Sequence, residues 1–130
     1  MKWILILILI LLAICANGSQ SLPSEFYHAI NMVETRGRTG AIHGERGELG
    51  PMQIRRQYWQ DAGVPGYFTN CVDYGYSCRV MDAYFRRFAN EFVMRRDYQS
   101  LARVHNGGPQ GYTNPATKKY WQKVRKYLTN

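Results

Sequence analysis

A glutamate that closes an apolar helix and is followed at once by a glycine-rich loop is placed to act as a general acid, and Glu34 has both neighbours. Upstream, Phe26, Ile30 and Val33 recur at helical spacing; downstream, Gly37, Gly40, Gly44 and Gly47 end helix propagation within a few residues. Apolar walls disfavour ionisation, so such a carboxyl keeps its proton near neutral pH and can deliver it to a leaving-group oxygen. Cleavage of a glycosidic bond by this route uses a second carboxylate across the bond, as nucleophile, base or stabiliser of the oxocarbenium-like charge. The loop offers Glu45 and Glu48 for that role. The competing reading of Glu34, a solvated group at a helix end, has to be weighed against what surrounds it.

The elements that would position these residues are helical. A first helix is expected from Ser21 or Ser24, either a good N-cap beside Pro23, with Glu34 at its end. Pro51 at a first-turn position predicts a second helix through Met52, Ile54, Tyr58 and Trp59, ended by Gly63 and Pro65. Val80, Met81, Tyr84, Phe85, Phe88 and Phe92 mark a central buried helix, and Leu101 and Val104 a shorter one stopped by Gly107-Gly108-Pro109. Asn114 caps a last helix with Pro115 at its first position. Its inner face carries Tyr120, Val124 and Leu128, and its outer face Lys118, Lys119, Lys123, Arg125 and Lys126. That charge run reads equally as a solvated face or a surface for docking a polyanion. No strand signal competes, and no repeat or long linker divides the chain, so one compact, mainly helical domain is expected, with a small hairpin or turn-rich loop after its first helix.

The domain is expected to begin at residue 19. Met1-Lys2, the apolar run from Trp3 to Ile14 and the small residues Ala13, Ala16 and Gly18 read as a secretory signal peptide over residues 1–18. A membrane span needs about 20 apolar residues, and this run stops short of that. The mature protein is thus expected to be extracellular, without a span. Cleavage removes Cys15, leaving Cys71 and Cys78 in an oxidising compartment, where a disulfide between them is expected. A zinc half-site would need two further ligands at spacings the chain lacks, so neither metal nor cofactor is expected. The net charge is +8, with Lys2 in the leader, which predicts an anionic partner such as the acidic polymers of a bacterial envelope. Specific nucleic-acid binding is disfavoured, because no recognised module is present.

Three blocks, in order, carry a resemblance. Gly50-Pro51-Met52-Gln53-Ile54, with Tyr58, Trp59 and Asp61, resembles the segment that follows the catalytic loop in the lysozyme superfamily. Cys71-Val72-Asp73 with Cys78, then Val80, Tyr84-Phe85 and Arg87-Phe88, is similar to the invertebrate-type, destabilase-like lysozymes. Ala102 through Pro109 with Gly111, then Ala116-Thr117, Tyr120-Trp121 and Val124, matches the same family and also resembles the Asn-Ala-Gly segment of lytic transglycosylases. The resemblance implies an α+β lysozyme-like fold, mainly α, with Glu34 as acid and Gln53, Tyr58, His105, Asn106 and Gly107 at the saccharide. For Gln53 a buried amide bonded to backbone ranks above direct sugar contact. For His105-Asn106 a helix C-cap with Gly107 left-handed coexists with sugar binding. Of Tyr58, Trp59, Tyr120 and Trp121, one or two are expected to reach a cleft and the rest to pack in the core.

The chain departs from the family in two ways. The family is cysteine-dense, and its second carboxylate is an aspartate near the place where His43 stands. Glu48 falls where the animal-type enzymes carry their second acid, whereas Gly44-Glu45-Arg46-Gly47 resembles an acidic loop of the goose-type enzymes; Glu48 ranks ahead of Glu45. The resemblance implies hydrolysis of the β-1,4 bond between N-acetylmuramic acid and N-acetylglucosamine in bacterial peptidoglycan. Two alternatives stand beside it: a lytic transglycosylase using Glu34 alone, and a non-catalytic cationic protein that binds the bacterial envelope.

Overall fold

The computed structural model describes residues 22–128. The expected leader, residues 1–18, lies outside them. Among the described residues six α-helices are joined by turns and short 3-10 segments: α1 Ser24–Thr35, α2 Arg56–Ala62, α3 Tyr74–Phe88, α4 Asn90–Met94, α5 Tyr98–Gly107 and α6 Lys118–Val124. Extended pairing among the described residues amounts to isolated antiparallel bridges, His43 with Leu49 and Leu49 with Ile54, so of the expected hairpin or turn-rich loop the structure has the loop, pinched by these bridges.

Helix α3 runs through the core with Val80, Met81, Tyr84 and Phe85 buried, and packs against α2, α4 and α5. Its N-terminus is capped by Asp73, whose side chain accepts from the Tyr76 N–H at 2.7 Å. The expected run to Phe92 is interrupted: Ala89, at φ −146°, breaks the helix, and Phe92 enters the core from α4 instead. Phe26 and Ile30 of α1 are fully buried, with Phe26 set edge-on against Phe85 and stacked near Tyr98. Val33 packs only at the margin of that core. Pro23, rather than a serine, occupies the N-cap of α1, and no side chain closes that end.

The C-terminus of α1 is fastened by buried polar groups. Asn31 Nδ2 donates to Thr35 Oγ1 at 2.8 Å and to the carbonyls of Arg38 and Pro51, while Thr35 Oγ1 donates to the Pro51 carbonyl at 2.9 Å. Both side chains lie out of water, where an unpartnered amide or hydroxyl would be costly. The clasp therefore fixes the turn beginning at Gly50 against the helix that carries Glu34.

That turn is why α2 starts at Arg56 rather than at Pro51. Gly50 has φ +82° and Gln53 φ +52°, and left-handed residues on both sides of Pro51-Met52 cannot propagate a right-handed helix. The end of α2 is as expected, with Gly63 left-handed at its C-cap. Asn114 accepts from the Ala116 N–H as expected, although Pro115–Thr117 forms a 3-10 turn before α6 begins. Arg103, 8% exposed, ties α5 to this turn through Thr117 Oγ1 and the Asn114 carbonyl.

The expected disulfide is not formed: Cys71 and Cys78 are free thiols. Cys71 is fully buried on the 3-10 segment Phe68–Val72, and its carbonyl accepts from Ser77 Oγ at 2.7 Å. Cys78 lies further along α3, partly exposed and near Asp82 and Tyr74, so a short sequence spacing does not bring the sulfurs together. Asp82 is itself bonded to the Tyr27 hydroxyl, which joins α3 to α1.

Gly50 is the tightest point of the turn, because a Cβ there would fall on the Cys71 carbonyl. Gly50→Ala combines that overlap with a positive φ and is expected to lower the unfolding free energy by more than about 1 kcal/mol, measured by equilibrium denaturation.

Candidate active site

A cleft of about 880 Å³ opens between the 44–57 loop region and α5. Its walls include Glu34, Glu45, Glu48, Gln53, Tyr58, His105, Asn106 and Gly107, so residues far apart in the chain converge on one opening. Arg46, Arg55, Gln57, Asp61, Tyr84, Gly108 and Pro109 complete much of the remainder.

Glu34 stands in the last turn of α1, and its side chain is 20% exposed. Burial pushes its carboxyl up to about 7. A hydrogen bond from the Tyr120 hydroxyl to Oε1, at 2.7 Å, works against this rise, as do Lys123 and Arg55, while the charge on Glu48 adds to it. His105 Nε2 lies 3.7 Å from the same Oε1, but the pair is not ionic. The Met52 carbonyl, 3.1 Å from Nε2, can only accept, so Nε2 carries the hydrogen; Nδ1 then accepts from the Tyr58 hydroxyl at 3.1 Å. Burial holds the imidazolium form down to about pH 4, in agreement with this neutral tautomer. Tyr58 is stacked face to face on Tyr84 at 3.7 Å and meets the His105 ring edge-on.

Glu48 is the opposite kind of carboxyl. Partial burial raises its pKa, but the backbone N–H groups of Glu48 and Arg46 and the Arg55 guanidinium outweigh that and hold it below the usual range. Oε2 accepts from the Arg46 N–H at 2.9 Å and Oε1 lies 3.3 Å from Arg55 Nε. One carboxyl kept neutral and another kept charged along the same cleft is the division of labour that acid-assisted bond cleavage requires. Glu45 stands at the exposed rim. Gly44 leaves room for both Glu48 and Gln53, because a side chain there would run into each of them.

Gln53 takes the backbone role: its Nε2 donates to the carbonyls of Ile42 and Gly50 at 3.1 and 2.9 Å, and its left-handed conformation is stabilised by those bonds. His105 is likewise buried, with its side chain 3% exposed, while Asn106 at the exposed end of α5 faces the cleft. The glycine with positive φ is Gly108, at φ +81° and ψ −171°, and not Gly107, which still belongs to α5, so the expected left-handed cap is not formed. Tyr58 reaches the cleft, whereas Trp59, Tyr120 and Trp121 do not line it. His43 is exposed and bridges Leu49 through its backbone, away from the cleft lining. Sequence reasoning did not mark Arg55, Tyr84 or the Tyr120 hydroxyl as parts of the site. Tyr84 and Tyr120 sit in apolar stripes, and the only signal was the polar tip that a buried tyrosine must satisfy.

Solved structures share this architecture. The lysozyme of Tapes japonica aligns with a TM-score of 0.70 at 28% identity, covering 80% of this chain and 89% of that one, so the fold is that of a lysozyme. In sequence, a lysozyme of Magallana gigas is 39% identical over 83 residues, 62% of this chain and 61% of that protein. Invertebrate-type lysozyme 2 of Caenorhabditis elegans is 30% identical over 112 residues, 75% of this chain and 80% of that protein. The destabilase family model matches residues 27–127, and the chain belongs to that family. The match spans less than two thirds of the Magallana gigas protein.

The raised Glu34 carboxyl has a consequence for stability. A group whose folded pKa lies above its ordinary 4.5 contributes fully below pH 4.5, and that contribution is lost as pH rises through about 7. Glu34→Gln removes the buried charge. The stability of the variant relative to wild type is therefore expected to improve between pH 4.5 and 8, by an amount on the order of 2 kcal/mol, in denaturant titrations at the two ends of that range.

Proposed function

We propose that this protein is a secreted glycoside hydrolase of the lysozyme type, which cleaves the β-1,4 bond between N-acetylmuramic acid and N-acetylglucosamine in bacterial peptidoglycan, in defence or digestion. The observation that carries this reading is the pairing along one cleft of a desolvated Glu34, protonated up to about pH 7, with an ionised Glu48. Membership of the destabilase family and the lysozyme names of its relatives support the same class.

In the proposed reaction Glu34 protonates the glycosidic oxygen, and Glu48 stabilises the positive charge that develops on the sugar or steers the attacking water. The backbone N–H of Arg46 and the guanidinium of Arg55 keep Glu48 in its charged form and in place. Asn106 and the Gly107–Pro109 turn contact the saccharide, while Gln53 and His105 hold the walls and Glu45 belongs to the rim. The exposed basic face of α6 supports docking on acidic wall polymers, an attraction that weakens with salt.

A second reading is favoured by one observation. Both Glu48 oxygens are already engaged, which suits a reaction in which Glu34 alone serves as acid and the sugar closes an anhydro ring on itself. Mass spectrometry of digested peptidoglycan separates the two: new reducing ends support hydrolysis, and anhydro-muramyl ends without them replace it with transglycosylation.

Glu34→Gln is expected to lower the rate of cell-wall clearing at least about a hundredfold while leaving pelleting with the wall intact. Clearing that persists unchanged would instead support a non-catalytic, charge-driven action. Between the two loop acids, Glu48→Gln is expected to reduce kcat by about tenfold or more and Glu45→Gln by less than about threefold, measured on soluble peptidoglycan fragments.

A further inference from the structure

We propose that Tyr120 is a positioning residue of this site: its hydroxyl fixes Glu34 Oε1 as the accepting end of the carboxyl, so that the transferable proton is carried on Oε2. The proposal builds on the reading of Glu34 as the acid.

The sequence gives Tyr120 only a place on the inner face of α6, where a phenylalanine would pack equally well. A phenol buried to 9% exposure needs a partner for its O–H, and this one finds Glu34 Oε1 at 2.7 Å. The nearest other polar hydrogen is already committed elsewhere. The Nε2–H of His105, whose other nitrogen is occupied by the Tyr58 hydroxyl, donates to the Met52 carbonyl and stands 3.7 Å from Oε1. A proton on Oε1 would meet the Tyr120 hydroxyl hydrogen head-on, whereas none of the described residues donates to Oε2. Tyr120 does not line the cleft, so it acts through Glu34 rather than on the sugar.

The arrangement also favours the transfer itself. As the Oε2–H bond breaks, its proton joins the glycosidic oxygen, which takes the electron pair of the breaking C–O bond, and negative charge spreads over the Glu34 carboxylate. A hydrogen bond already aimed at Oε1 strengthens as that charge develops. The other groups that face Glu34 do not change with Tyr120. Lys123 of α6 and Arg55 ahead of α2 favour the carboxylate, Glu48 of the loop opposes it, and Tyr58 of α2 and His105 of α5 are neutral.

Tyr120→Phe removes one oxygen and with it a bond that favours the charged acid. The alkaline limb of the kcat–pH profile, where Glu34 loses its proton, is expected to move up by about one pH unit. The plateau kcat is expected to fall about tenfold with KM changed less than about twofold. A tyrosine that merely filled space would leave the limb where it was, and an unmoved or lowered limb overturns the proposal. Two measurements do not depend on turnover. Carboxyl carbon NMR of Glu34 is expected to titrate higher in the folded variant than in wild type. In wild type alone, the Tyr120 Cζ resonance is expected to follow the Glu34 midpoint near pH 7 and to become flat in Glu34→Gln. A Tyr120 resonance already flat in wild type overturns the proposal even if Tyr120→Phe does not fold. If wild type fails to cleave wall polymer, the functional reading falls while these resonances still decide whether Tyr120 holds Glu34.

Discussion

Withdrawing one carboxyl from water, at the place where the end of α1 meets α5 and α6, is the constraint to which the surrounding structure answers. Desolvation raises Glu34 and costs stability wherever the group must ionise. The elements around it share the task of keeping the group in this state. Tyr120 and His105 cover the carboxyl, and the pinched loop supplies a charged carboxylate that adds to the rise. The aromatic core from Phe26 to Phe85 makes the platform rigid enough to hold a group that would be more stable in solvent.

The charges around the cleft are arranged with similar economy. Arg55 is shared between two carboxyls, bonding Glu48 directly and acting on Glu34 through space. Lys123 belongs to the basic face of α6 and yet also bears on Glu34. Surface charge and site chemistry are thus coupled, and an exposed pair such as Arg55–Glu48 matters here more for protonation than for holding the fold.

The place of Glu34 at a helix end and the main helices were legible in the sequence because they rest on local patterns. Glu34 followed by glycines, the apolar period of α3, Gly63 at the end of α2 and Asn114 ahead of Pro115 each depend on neighbours a few residues away. The features that escaped depend on distant partners. Pro51 looks like the start of a helix until Gln53 turns left-handed to bond Ile42 and Gly50. No glycine or proline marks the break at Ala89, which lies buried among core residues. Cys71 and Cys78 are close in number, yet one faces the core from a 3-10 turn and the other stands on a helix. Tyr120 and Arg55 acquire their roles only through Glu34 and Glu48, residues on other elements.

The Asn31–Thr35 clasp secures the end of α1 without using the Glu34 side chain at all. Scaffold and chemistry are consequently separable here. Exchanging Glu34 for a neutral residue of the same shape leaves that clasp, and with it the helix end that borders the groove, untouched. The groove is a property of the scaffold, and its proton affinity a property of one side chain set into it.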